Sequence, residues 1–271
     1  MNKVAEPWLR WPIAGLVATV WLSSGLFALF ILAFYLGALR QDDLSSWNAF
    51  LPGLHADDGQ PAATAGIGLH FALGALILLL GPIQLLGAVR RRWPRAHRIT
   101  GRIYVTSAIL TGLGGLVFIA LRGTVGGPMM SASFALYGVL MILAGGQTIR
   151  HAMARDLVRH RAWAIRLFAL AIGSWLYRMD YGFWFAITGG IGHTDQFDGW
   201  FDKIMNLWFF LPNLVVAEAF IRSSGPGLSA AGRVVTGAVI VAGTAFLLLA
   251  TWFFFTRAWW PAIAWGLGID S

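Results

Sequence analysis

Two short stretches set a histidine beside an arginine at the start of an apolar run: HRITGRIY, His97 to Tyr104, and HRAWAIRLF, His160 to Phe168. Each carries another arginine, Arg102 or Arg166, four or five residues after Arg98 or Arg161. His97, Gly101 and Tyr104 recur at i, i+4 and i+7, which places them on one helix face. A glycine one turn from a histidine lets a backbone or a flat ligand approach closely, and the neighbouring Arg98 and Arg102 suit phosphate or carboxylate groups. The shared His-Arg context of His97 and His160 raises the question of a cofactor held between them. The same residues also read as interfacial groups that cap two helix starts, with their arginines serving lipid headgroups.

What must position them is a membrane-spanning bundle. Of 271 residues, 58% are hydrophobic and only 12% charged, against roughly 25% charged in a soluble domain. Seven runs are long enough for a bilayer core, which takes roughly 20 apolar residues: about 12–39, 65–89, 99–121, 129–149, 162–188, 204–222 and 232–256. None has the alternation of barrel strands, so the fold class is an all-α integral membrane protein. The first run is too long for a cleaved signal core and reads as an uncleaved helix. The net charge of +8 does not point to nucleic acid, because the arginines fall in short loops pinned to a bilayer surface. The chain has no cysteine, which excludes disulfides, thiolate metal sites and cysteine nucleophiles.

Basic residues in short loops set orientation. With the N-terminus inside, the inner set holds Lys3, Arg10, the six arginines from Arg90 to Arg102, Arg150, Arg155, Arg159, Arg161, Arg166, Arg222 and Arg233. The outer set is Arg40, Arg122, Arg178, Lys203 and Arg257, together with most of the acidic residues. The expectation is N-in, C-out, in the inner membrane of a bacterial cell. Trp8 and Trp11 would flank the first helix, and Trp252, Trp259 and Trp260 the last, as interfacial belts. No boundary divides residues 1–271, and helices two to five read as a four-helix core with three peripheral helices. In the outer loop, LSSWNAFL is expected as a short helix on the membrane surface.

Ionisable groups inside a span are functional candidates by default. They are His70 in the second run, Arg166 and Arg178 in the fifth and Glu218 in the sixth; Gln84 adds an uncharged polar group. Arg166 and Glu218 lie at similar depth, so a pair between them is one reading and snorkelling of Arg166 another. Arg178 reads either as an anchor with a local salt bridge to Asp180, or as the binding group for an external anion or a cofactor carboxylate. Neither inverted repeats nor paired broken helices, the pointers to secondary transporters, are evident. Nor are H-E-x-x-H or G-x-S-x-G motifs.

LHFALGALILLLGPIQLL, RRWPRAHRITGRIYV, RHRAWAIRLFALAIGSWLYR and NLWFFLPNLVVAEAFI together resemble a family of bacterial multi-pass membrane proteins known as a domain of unknown function, over about residues 65–222. The resemblance rests on His70, Gln84, His97, Arg98, Gly101, Arg102, Tyr104, His160, Arg161, Arg166, Arg178, Asn213 and Glu218, among others. It implies membership but no activity. A looser resemblance is to the ascorbate-reducing transmembrane b-type cytochromes, whose four-helix core holds haems between histidines on alternate helices. It implies one inner-side haem b between His97 and His160, with arginines at its propionates, and electron exchange with quinone or other membrane redox proteins. His70 has no histidine opposite; Met129 and Met130 lie at about its level. The alternative is a non-redox accessory protein that binds a small solute or lipid, for which a cavity lined by His70, Arg178 and Gln84 would speak.

Overall fold

The computed structural model describes residues 10–56, 59–222 and 230–269. Lys3, Glu6, Trp8, Asp57, Asp58, residues 223–229 and Asp270 lie outside the described residues, as does the side chain of Arg233. The chain forms α1 (Arg10–Arg40), a 3-10 turn (Leu44–Ala49), α2 (Pro61–Leu85), α3 (Gly87–Arg92), α4 (Pro94–Arg122), α5 (Gly127–Met153), α6 (Leu157–Ala171), α7 (Gly173–Thr188), α8 (Trp200–Trp208), α9 (Leu211–Arg222), α10 (Ala230–Phe254), a π-helical turn (Phe255–Trp259) and α11 (Trp260–Leu267). Among the described residues, six helical stretches are long and apolar enough to cross a membrane: 10–40, 61–85, 94–122, 127–153, 200–222 and 234–267. This is an all-helical membrane protein.

The fifth expected run is split into α6 and α7, each too short to cross alone at roughly 20 residues per span. The break is one residue wide. Ile172 keeps helical dihedrals, and bonds from Ile172 N–H to Phe168 O and from Leu176 N–H to Ile172 O bridge it. Its local cause is Gly173–Ser174, a pair of the kind that kinks helices. A second interruption parts α8 from α9 at Phe209–Phe210, just ahead of Pro212, whose ring cannot donate and clashes one turn back. The two breaks touch: a Cβ on Gly173 would lie 3.2 Å from Phe209 O. Side chains take up carbonyls there, with Tyr137 Oη donating to Leu170 O (2.7 Å) and Asn213 Nδ2 to Phe209 O (2.8 Å). Two facing interruptions, not evident in the sequence, are thus present.

The helices α2, α4, α5 and α6 pack in succession, with α1 against α2, α7 against α10, and α11 against α1. Glycines allow the closest approach. A Cβ on Gly114 would lie 2.5 Å from Gly66 O, where α4 meets α2, and one on Gly37 would lie 2.6 Å from the Cα of Gly266, where α1 meets α11. Small residues are what membrane helices use to approach one another. LSSWNAFL forms a short helix, a 3-10 turn over Leu44–Ala49 whose Trp47 is buried against the bundle and donates to Tyr35 O (3.2 Å). One expectation is corrected by packing: Trp259 is no belt residue, because the π-helical turn directs it into the core, stacked on Phe254. Trp11, Trp252 and Trp260 are exposed.

Candidate ligand cavity

Between α2, α4, α5 and α7 lies a cavity of about 310 Å³, a ligand-sized space on the roughly 300–1,000 Å³ scale of small-molecule sites. Leu51–Leu54 and Arg122–Val125 line its end opposite α3 and its arginines. Arg122 ties these two segments together by donating to Leu54 O (3.1 Å) and Ala56 O (3.2 Å). Most of the wall is apolar, with Phe71, Phe118, Met130, Phe134, Met141 and Phe209 among its members.

A few polar groups converge on that space. His70 lines it and is held by a bond between Nδ1 and Thr111 O (3.0 Å). Thr111 also presents a buried hydroxyl without a partner. Arg178 lies against the ring of Phe27 (4.9 Å) and donates to Ser174 O (2.9 Å). Among the described residues Arg178 has no ion pair, so the expected salt bridge to Asp180 is absent; the guanidinium turns instead to its own helix and to the cavity. Tyr177, Tyr137, Ser174 and Thr124 are further polar residues of the lining. The positions of Ser174, Tyr177 and Arg178 follow from where α7 starts, because all three occupy its first turn and a half.

The remaining candidates form a second group at the opposite end. His97 and His160 begin α4 and α6 and are near enough to interact electrostatically. His160 Nδ1 is bonded to Thr148 O (3.0 Å), while His97 Nδ1 is buried without a partner. The notch beside Gly101 is filled from α2: a Cβ there would meet Gln84 Oε1 at 3.0 Å, and Gln84 Nε2 donates to Thr100 Oγ1 (2.6 Å). Gln84 therefore closes the helix face that a flat ligand would use and does not line the cavity. Tyr104 is buried, whereas Arg98, Arg102 and Arg161 are exposed. With Gln84 in the Gly101 notch, the face on which a haem between His97 and His160 was expected is occupied by a side chain. Arg166 meets Glu218 through Nε (3.1 Å) and Nη2 (2.7 Å), with Arg222 on the other carboxylate oxygen and Trp163 beneath the guanidinium. That cluster bolts α6 to α9.

One constellation lies outside the expected sites. Asp202 on α8 is fully buried and accepts from Tyr181 Oη (2.6 Å), Thr194 N–H (3.1 Å) and Gly199 N–H (3.0 Å), with His193 Nδ1 at 2.7 Å. A capping signal was legible: an acid three residues after Gly199 can reach back to the helix start. That His193 and Tyr181 would join it was not, since both arrive from distant positions.

The profile of the family described as predicted membrane protein (DUF2306) matches residues 67–221. The chain belongs to this family. The match takes in α3 to α8 whole, most of α2, nearly all of α9, and every polar group of the cavity. No curated protein and no solved structure matches the chain.

Proposed function

We propose that this member of the family binds an amphipathic organic anion in the cavity, entering from the side opposite the arginine-rich loops, and uses no haem for it. The observation that carries this reading is Arg178: a guanidinium lining a mostly apolar cavity, without a carboxylate partner among the described residues. An interior charge without a counter-charge is costly, and a bound anion supplies one. A forked guanidinium suits a carboxylate or phenolate oxygen. Thr111 and His70 stand ready to hold a second oxygen, and the aromatic and methionine walls suit an apolar body. With the basic loops cytoplasmic, the mouth faces outward.

The test is thermal stabilisation of the detergent-purified protein by octanoate and 4-nitrophenolate, compared with octanol and nitrobenzene. Binding at 100 times Kd stabilises by about 2.7 kcal/mol. The anions should raise Tm and the neutral analogues should not. Arg178→Gln should abolish the difference, whereas Arg102→Gln, at the exposed opposite end, should keep it. Equal stabilisation by neutral analogues defeats the reading. The hydrogen-bonding groups Thr111, His70 and Tyr177 favour one second reading, a neutral quinone headgroup in the same cavity and a quinone-linked redox role; stabilisation by a short-chain ubiquinone analogue that survives Arg178→Gln would support it.

A further inference from the structure

Tyr177 is at once a wall of the cavity and the first link of a hydrogen-bonded chain that leaves it. Its hydroxyl donates to Tyr181 Oη (3.2 Å), which donates to Asp202 Oδ1 (2.6 Å), which is bonded to His193 Nδ1 (2.7 Å). The His193 side chain is 15% exposed and Asp202 0%, so the chain starts in the cavity and ends at a loop that reaches water. Rings enclose it: Phe134 and Phe209 pack on Tyr177, Phe201 and Phe197 on Tyr181, and Phe185 on His193. The titratable and charged groups around it are Arg178 beside Tyr177 on α7, Asp202 from α8 and His193 from the loop. A carboxylate used only to cap α8 needs the Thr194 and Gly199 amides alone. Two tyrosines in series towards a ligand space are more than a cap requires.

We infer that the chain Tyr177–Tyr181–Asp202–His193 is a proton path, and that the ligand of the cavity is a weak acid which enters protonated and is held as its anion. This rests on the anion-binding reading above and names the class of anion. The step balances. The ligand O–H proton passes to Tyr177 Oη as Tyr177 passes its own to Tyr181 and Tyr181 its own to Asp202. Both tyrosines end neutral, the ligand is left as an anion beside Arg178, and the Asp202–His193 pair releases one proton to water at the loop. The donor directions already run this way, from the cavity towards Asp202.

The experiment uses the full chain in nanodiscs and 4-nitrophenol, whose ionised form alone absorbs in the visible. The protein is mixed by stopped flow with the probe below the probe's ionisation range, in weak buffer with a pH dye. Tryptophan fluorescence reports binding, visible absorbance reports ionisation and the dye reports proton release. In the unaltered protein, ionisation and release of one proton should follow binding together, and slow in D₂O. Tyr177→Phe leaves every bond to Asp202 in place and, with any affinity lost at the cavity wall made up by a saturating probe concentration, should ionise the bound probe at least tenfold more slowly. Tyr181→Phe should do the same, and removes a bond to Asp202 as well. Binding with no ionisation in the unaltered protein, or ionisation as fast in Tyr177→Phe as without it, overturns the proton path and leaves anion binding standing. No binding of either probe form overturns both.

Discussion

Asp202 shows how much can hang on one side chain. Its two oxygens serve two backbone amides, a phenol and an imidazole, and the side chain is fully buried. Removing a carboxylate that is shared in this way strands its partners, and each stranded buried group costs roughly 1–3 kcal/mol. Asp202→Ala should therefore destabilise the protein by on the order of 3 kcal/mol. Asp202→Asn keeps one acceptor oxygen and should lose less; chemical denaturation monitored by tryptophan fluorescence checks the order, and equal losses would argue against the shared carboxylate. Asp43, at the foot of the Leu44–Ala49 turn, is a titration of the ordinary surface kind. The hydroxyls of Ser45 and then Ser46, donating to its carboxylate, hold it below the usual carboxylate range. A carboxyl depressed by folding stabilises above its unfolded value, and that contribution fades as pH falls through the folded one. The amides of Ser45 and Ser46 should therefore exchange faster only in acid, below about pH 4, and Asp43→Asn should make their exchange independent of pH there once intrinsic rates are removed.

At the scale of elements, the cavity exists because α7 begins where α6 ends and because α2 and α4 nearly touch. Gly66 and Gly114 bring those two backbones together one turn from His70, and Gly115 packs against the His70 ring. Gly114→Val has to push α2 away, since its Cβ would meet a carbonyl and not a flexible side-chain end. Overpacking of this sort costs about 1–3 kcal/mol, and here it should also displace the bond between His70 and Thr111 O and weaken octanoate stabilisation. Gly74, with nothing nearby, is the control: Gly74→Ala should leave ligand stabilisation unchanged. A Gly114→Val protein with full stability and binding would show that the contact is loose. These elements also mark where the sequence was readable. Length and apolarity delimit the helices, and an ionisable residue within one stands out, which is why His70, Arg178 and the Arg166–Glu218 pair could be picked in advance. The breaks escaped notice because Gly173–Ser174 and Pro212 are common residues whose meaning lies in one break facing the other. His97 and His160 drew attention by their echo, yet Gln84 from another helix fills the space that the echo suggested. The Asp202 chain needed the loop at 189–199 to fold back, and no periodicity encodes that.

For the whole molecule the decisive question is parity, and it turns on the interrupted element. Six stretches qualify as crossings by length and composition; the α6–α7 pair is a seventh only if it runs straight on through Ile172. The helical dihedrals there and the bonds on either side favour that. At 1.5 Å per residue, 15 and 16 residues with the join make a rod of roughly 48 Å, more than the roughly 30 Å hydrocarbon core. The arginines of α3, the start of α4 and the start of α6 gather at one end, while Asp42, Asp43, Asp195 and Asp198 belong to segments at the other, where the proposed mouth of the cavity lies. An odd number of crossings then puts the termini on opposite sides. A reporter fused at the N-terminus should be cytoplasmic and one at the C-terminus external, and a cysteine placed at exposed Trp200 should react with an impermeant maleimide from outside. Replacing Arg90, Arg91, Arg92 and Arg95 together by Gln removes four of the basic residues that hold the orientation and should yield a mixed population, with part of the C-terminal reporter now cytoplasmic. If both termini report from the same side in the unaltered protein, α6–α7 doubles back within the membrane, and the cavity, which takes Ser174, Tyr177 and Arg178 from α7, could not open outward as proposed.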